Sequence, residues 1–131
     1  MSETRRAFSG APWESEVGYC RALRRGDHVW VTGTVSLDSD GEPFAVGDPE
    51  AQARRCFQII ATALEAVGAG LADIVRTRMF VIDIERDRDA FARVHGEVFR
   101  DFPPVTSMIE VSRFIGEDFL IEIEADAFIE T

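Results

Sequence analysis

An alternation of apolar and polar residues predicts a β-hairpin near the start of the chain. In residues 28–36, HVWVTGTVS, Val29, Val31 and Val35 recur at the two-residue period of a strand. Residues 16–24 form the partner strand, and the Gly-containing stretch 25–27 is the turn. A glycine weakens a strand interior, so Gly33 indicates a bulge or a close approach to a ligand.

Apolar residues at steps of three and four predict two helices. The first begins at Asp48-Pro49, an N-cap acid followed by proline at the first helical position, and ends at Gly68. Its apolar stripe contains Cys56, Phe57, Ile60, Leu64 and Val67. The second helix covers residues 85–102, with Phe91, Val94 and Val98 on one face, and is stopped by Pro103 and Pro104.

Three further strands complete the pattern, at residues 74–84, 105–111 and 119–129. The order β-β-α-β-α-β-β predicts an α+β fold with two helices packed on one face of a sheet. We expect one domain over residues 1–131, in which residues 1–15 lack periodicity and form an irregular arm. Residues 79–82, MFVI, are apolar on both faces of their strand, which predicts a homo-oligomer that buries the second sheet face.

The composition excludes several classes of function. The 131 residues carry a net charge of −10, which disfavours nucleic acids and anionic membranes as partners. All 14 basic residues are arginine, so Schiff-base chemistry on a lysine is impossible. Cys20 and Cys56 match no metal or redox spacing, and no cofactor motif is present. The missing motifs predict a protein without cofactor or metal. Because the N-terminus has no hydrophobic signal core, we also expect a cytoplasmic protein.

The last strand contains the best candidate for proton transfer. Glu122, Glu124 and Asp126 share one face, and three like charges in a row are typical of a solvated face. Leu120 and Phe128 on the same face favour instead one acid in a semi-buried site. Glu122 lies nearest the adjacent loop, where reduced polarity would raise its pKa and let it move a proton.

Other polar residues allow two interpretations each. His95 borders the apolar stripe of the second helix, and either bonds a neighbouring backbone group or points into a cleft. Tyr19, the only tyrosine, either packs in the core or donates to a ligand. Thr106 and Ser107 open a strand without the glycines of a nucleophile elbow, so they suit hydrogen bonding to a ligand or to the backbone.

The chain resembles the YjgF/RidA-like (Rid) family. The resemblance rests on VGYCRALRRGDHVWVTGTVSLDSDGEP, on residues 48–84, and on the motifs FPPVTSMIEVSRF and IEIEADAF. It implies a chorismate-mutase-like fold with a mixed six-stranded sheet, assembled as a homotrimer with small-molecule clefts between subunits. It also implies cofactor-free hydrolysis of enamines and imines to a 2-keto acid and ammonia.

The resemblance assigns roles to individual positions. Tyr19 matches the family's cleft tyrosine, and Thr32 with Gly33 matches its small strand residues beside the ligand. His95 falls where the family often has a polar residue, and Glu122 matches the acid of IEIEA that positions water. These residues are therefore expected to bind substrate, with Glu122 as the catalytic group.

One position departs from the family pattern. Deaminating members have an arginine two residues before MIEV that pairs with the substrate carboxylate, and this chain has Thr106 there. The chain is thus expected to belong to an arginine-lacking branch, with Thr106 and Ser107 as hydrogen-bonding cleft residues. Arg21 or Arg113 would have to supply a positive charge from elsewhere.

Three functions remain to be compared. The first is an imine or enamine deaminase, and the second is a module that binds a small metabolite without turnover, which the missing arginine favours. The third is ribonuclease activity, a label the family has carried. The charge of −10 and the lack of paired histidines for acid–base cleavage disfavour the third.

Overall fold

A computed structural model describes residues 3–130 of the chain. Its strands are β1 Thr4–Ala7, β2 Ala22–Arg25, β3 His28–Thr34, β4 Ile74–Val81, β5 Val105–Glu110 and β6 Ile121–Phe128. Its α-helices are α1 Pro49–Ala66 and α2 Ile84–Phe99. A π-helical turn at Glu14–Gly18 and a 3₁₀ turn at Leu71–Asp73 complete the elements.

The strands form one mixed sheet in the order β1-β2-β3-β6-β4-β5. Only β4 and β5 pair in parallel, and α2 makes the crossover between them. Both helices pack on the same sheet face and enclose a core that includes Phe57, Ile60, Phe91 and Ile123. The predicted α+β fold, with two helices on one face of a mixed six-stranded sheet, is confirmed.

Helix α1 begins and ends where the sequence predicts. The Asp48 side chain accepts a hydrogen bond from the Ala51 amide at 3.1 Å, and Pro49 occupies the first helical position. The five residues of its apolar stripe are all buried. Gly68 follows the helix with φ +83°, a conformation that glycine adopts at little cost.

The N-terminal arm differs from the prediction. Thr4–Ala7 is not irregular but forms the edge strand β1, in which Arg5 pairs with Arg24 and Ala7 with Ala22. The first strand of the hairpin also begins later than predicted, at Ala22, because residues 14–18 form the π-helical turn. Backbone hydrogen bonds to a neighbour define an edge strand, so a short polar segment can form one without apolar alternation.

A bulge at Gly33 changes the face pattern of β3. Val31 pairs with Ala125 and Thr34 pairs with Ile123, so one extra residue of β3 is accommodated between these pairs. Thr34 is consequently buried on the helix side, where strict alternation would have placed Gly33. The bulge inferred from Gly33 is confirmed.

The sheet face opposite the helices remains partly apolar and exposed. Trp30, Val105, Ile109 and Phe128 are each at least 40% exposed there. Monomeric proteins seldom leave several large apolar side chains exposed on one sheet face, so this face suits an interface between copies. Among residues 3–130 no helix has the length and apolar character needed to cross a bilayer.

Candidate active site

A pocket of about 470 Å³ opens at the end of the sheet where β3 ends and β6 begins. Residues 7–21, the flank of α1, and the loops after β3 and before β6 form its walls. Most of the lining is apolar, including Phe8, Trp13, Leu37, Ile59, Phe114 and Phe119. Tyr19, Arg21, Gly33 and Glu122 supply polar groups, so the pocket suits a small ligand with an apolar part.

Glu122 lies against the bulge of β3. A Cβ built on Gly33 would lie 2.6 Å from Glu122 Oε2, so a larger residue at this position would displace the carboxyl group. Burial raises the pKa of Glu122 above its ordinary value, the neighbouring Glu124 raises it further, and Arg21 opposes the rise. A carboxyl group with a raised pKa exchanges protons more readily near neutral pH than an ordinary surface glutamate.

The other two acids of the row have a different environment. Arg78 Nη1 lies 3.6 Å from Glu124 Oε1 and 3.4 Å from Asp126 Oδ2. These are partly exposed ion pairs on the open sheet face, of the kind that contributes little to stability. The acidic row therefore divides into two charge-paired residues and Glu122.

A buried ion pair supports the pocket from within. Arg21 and Glu14 are each at most 4% exposed, and Arg21 Nη2 lies 3.0 Å from Glu14 Oε2. Arg21 Nη1 also donates to the carbonyl oxygen of Gly33 at 2.7 Å. Arg21 thereby connects the π-helical turn to the bulge, and Glu14 neutralises the positive charge of Arg21. Arg113, the other alternative source of charge, is exposed in the loop before β6.

Tyr19 and Thr32 connect the pocket to a shallower groove. Tyr19 is half-buried and lines both, with its ring 5.6 Å from the guanidinium carbon of Arg21, a cation–π contact. Thr32 lines only the groove, together with Trp30 and Asp126 on the open sheet face. Tyr19 thus presents its phenol at the boundary between the two surfaces.

A separate cluster forms at the other edge of the sheet. His95 Nε2 lies 2.8 Å from Thr77 Oγ1, and Thr77 Oγ1 lies 2.7 Å from Thr106 Oγ1. The His95 ring packs between Phe57 and Phe99, and this burial lowers its pKa. The imidazole is therefore neutral at neutral pH.

Within one chain, the predicted site residues occupy several places. Tyr19, Gly33 and Glu122 share the pocket, whereas His95 and Thr106 lie on the helix side of the sheet. The pairing of β4 with β5 gives Thr106 the face of the buried Thr77, so Ser107 points to the opposite face. A single cleft that contains all of them requires a second copy of the chain.

Two contributors to these clusters are missing from the sequence-based prediction. Glu14 lies in the segment that was interpreted as an irregular arm, so its pairing with Arg21 had no local signal. A weak local signal existed for Thr77, because it is a polar residue that shares the core-facing side of its strand with Met79 and Val81.

Within the described residues, the potential metal ligands are not clustered. Across residues 3–130, no three His, Cys, Asp or Glu side chains are grouped closely enough to bind a metal ion. Cys20 and Cys56 are free thiols, and Cys56 is fully buried beside the Thr34 carbonyl oxygen, 3.3 Å from its sulfur atom.

Comparison with known proteins identifies the family. The family model described as Endoribonuclease L-PSP matches residues 9–129, nearly the whole chain. The chain belongs to this family, the YjgF/RidA family. A crystal structure of a Mycobacterium tuberculosis member of the YjgF/YER057c/UK114 family is similar, with a TM-score of 0.87 and 42% identity over 97% of this chain and 100% of that one.

Two curated relatives extend the comparison. An uncharacterized protein of Streptomyces coelicolor is 36% identical over 124 residues, which cover 95% of this chain and 91% of the relative. A 3-aminoacrylate deaminase, RutC, of Acinetobacter baylyi is 30% identical over 111 residues, which cover 85% of this chain and 86% of the relative. The predicted family and fold are both confirmed by these matches.

Proposed function

We propose that this YjgF/RidA-family protein is a cofactor-independent hydrolase of small imines or enamines, with Glu122 as its acid–base group. The observation that carries the proposal is the half-buried Glu122 carboxyl group in a largely apolar pocket, with a raised pKa and with Gly33 leaving space for it. The similarity to a relative named 3-aminoacrylate deaminase supports the reaction class.

The proposed reaction uses water as the only co-reactant. The Glu122 carboxylate accepts a proton from a water molecule as the water oxygen bonds to the C=N carbon, and it passes this proton to the nitrogen, which gives the carbinolamine. Glu122 then accepts the proton of the carbinolamine hydroxyl group and delivers it to the nitrogen as the C–N bond breaks, so that a carbonyl compound and ammonia leave. An enamine first gains a proton on carbon and loses one from nitrogen, which converts it to the imine. A raised pKa suits both steps, since one group acts as base and then as acid.

The proposal includes assembly as a homotrimer, with the working cleft between subunits. The exposed apolar face of the sheet supports self-association. In such a cleft Tyr19, Thr32, Gly33 and Glu122 of one subunit would face His95, Thr106 and Ser107 of another. A cytoplasmic location and a small-molecule ligand, with neither nucleic acid nor membrane as partner, belong to the same proposal.

Ribonuclease activity has little support despite the name of the family model. The chain has two histidines, and His28 stacks on Trp30 on the open sheet face while His95 lies on the helix side. They are not paired for acid–base cleavage within a chain, and the net charge of −10 repels RNA.

The alternative is a binding protein that retains the cleft without turnover, and Thr106 at the position of the family's arginine favours it. The test generates 2-imino acids with an amino-acid oxidase and traps the remaining imine with semicarbazide. The proposal predicts less trapped imine when the purified protein is added, and no decrease with heat-denatured protein. No decrease with folded protein, together with a thermal shift on adding keto acids or amino acids, would support the binding protein instead.

A further inference from the structure

Three side chains from three elements form a continuous hydrogen-bonded chain. It runs from His95 on α2 through Thr77 on β4 to Thr106 on β5. Thr77 is fully buried, whereas Thr106 is exposed on the edge strand of the sheet. These hydrogen bonds therefore connect a half-buried imidazole to a hydroxyl group that a ligand can reach.

The hydrogen-bonded side chains allow two arrangements of protons, because a threonine hydroxyl group has one proton and can donate or accept. In the first arrangement His95 has its proton on Nε2 and donates to Thr77, and Thr77 donates to Thr106. The Thr106 proton is then left for an acceptor outside this group of three residues. In the second arrangement Thr106 donates to Thr77, Thr77 donates to Nε2, and His95 has its proton on Nδ1.

We propose that Thr77 and His95 are positioning residues that orient the Thr106 hydroxyl as an outward hydrogen-bond donor, so that the cleft selects substrates with a neutral acceptor there. The acceptor would be an amide or ester oxygen in place of a carboxylate. The inference deepens the proposed function, since it rests on Thr106 belonging to the working cleft.

The charge balance around Thr106 supports this selection. Thr77, its hydrogen-bond partner, is uncharged, and the half-buried imidazole of His95 beyond Thr77 has a lowered pKa that favours its neutral form. A carboxylate placed there would lose hydration without gaining a positive partner, whereas a neutral acceptor loses much less. The net charge of −10 acts in the same direction.

The first test reads the tautomer directly and needs no turnover. The protein has two histidines, so long-range ¹H–¹⁵N correlation of histidine-labelled protein shows two rings, and His28→Gln assigns them. We expect the His95 proton on Nε2. Thr77→Val should shift the Nε2 resonance and Thr77→Ser should restore it. A proton on Nδ1, or an Nε2 resonance unchanged in Thr77→Val, would overturn the positioning role.

The second test compares pyruvamide with pyruvate, which differ in having an amide or a carboxylate. Pyruvamide should bind the trimer about tenfold more tightly, the effect of one well-placed hydrogen bond. Thr77→Val should lose the preference and Thr77→Ser should keep it. Tighter binding of pyruvate, equal binding, or binding of neither probe would contradict the selection. Failure of imine hydrolysis alone would leave the tautomer and both affinities unchanged, so the two proposals fail separately.

Discussion

Replacing Gly33 with alanine tests how closely the backbone of β3 and the carboxyl group of Glu122 must approach. In the structure the added Cβ would lie 2.6 Å from Glu122 Oε2 and 2.8 Å from Glu122 Cδ. An ordinary van der Waals contact begins at 3.4 Å, so the carboxyl group would have to retreat by about 0.8 Å. The substitution therefore moves the proposed acid–base group without altering its chemistry.

The expected loss of stability is modest. Inserting a methyl group into a packed site lowers the free energy of unfolding by about 1–3 kcal/mol. Replacing glycine with alanine at a permitted backbone conformation raises it by about 0.4–1 kcal/mol, because the unfolded chain loses conformational freedom. The net effect should be roughly 1–2 kcal/mol, which leaves the protein folded. The expected loss of activity is larger, since misplacing a reacting group by about 1 Å can cost about 100-fold in rate.

The assay measures kcat/KM for hydrolysis of an oxidase-generated imine, together with the thermal midpoint. The matched control is Gly70→Ala, because nothing lies within 4 Å of a Cβ built at Gly70. We expect Gly33→Ala to be folded and nearly inactive, and Gly70→Ala to resemble the wild type. A folded Gly33→Ala protein with wild-type activity would show that the reaction does not depend on the position of Glu122.

Three further predictions concern the same region of the molecule. Folding raises the pKa of Glu122 above its ordinary value of 4.5, so the contribution of Glu122 to stability is present below that pH and is lost as pH rises through the folded pKa. Glu122→Gln should therefore have a higher thermal midpoint than the wild type at pH 7 and an equal one at pH 4. A lower midpoint of the variant at pH 7 would contradict the argument that burial raises this pKa. Arg21→Met leaves the buried Glu14 carboxylate without its partner and should lower the free energy of unfolding in urea by about 3–5 kcal/mol, against about 1 kcal/mol or less for the exposed Arg54→Met. Equal losses would show that the buried ion pair contributes no more to stability than the exposed one. Burial shields Cys56 and raises its pKa, so in a colorimetric thiol assay the native protein should have one reactive thiol, Cys20, and the unfolded protein two. Prompt reaction of both thiols in the native protein would contradict the buried position of Cys56.

Local signals in the sequence were sufficient for the helices and for the last strand. Helix α1 carries its own start signal at Asp48-Pro49 and its own end signal at Gly68, so no distant residue was needed to place it. In β6 the period of two separates Ile121 and Ile123 from Glu122 in the structure as it does in the sequence. These elements are defined by residues within a few positions of one another.

Contacts between distant segments could not be predicted in the same way. Strand β1 exists because Ala7 pairs with Ala22, and the pocket exists because Glu14 meets Arg21, yet the segment that contains Ala7 and Glu14 has no periodic pattern. The position of Thr106 followed from the resemblance, but its bond to Thr77 depends on the register of β4 with β5. Side-chain partners across a sheet follow from that register, and the apolar period of two residues excludes shifts of one residue but not shifts of two.

The most direct test of the proposed function compares two glutamates on the same strand. Glu122→Gln and Glu124→Gln remove the same charge from the same face of β6, but only Glu122 lines the pocket beside Gly33. If Glu122 transfers protons during imine hydrolysis, Glu122→Gln should lower kcat/KM by about 10²–10⁴-fold. Glu124→Gln should stay within a few-fold of the wild type. Equal activity of the two variants would contradict the assignment of Glu122 as the acid–base group.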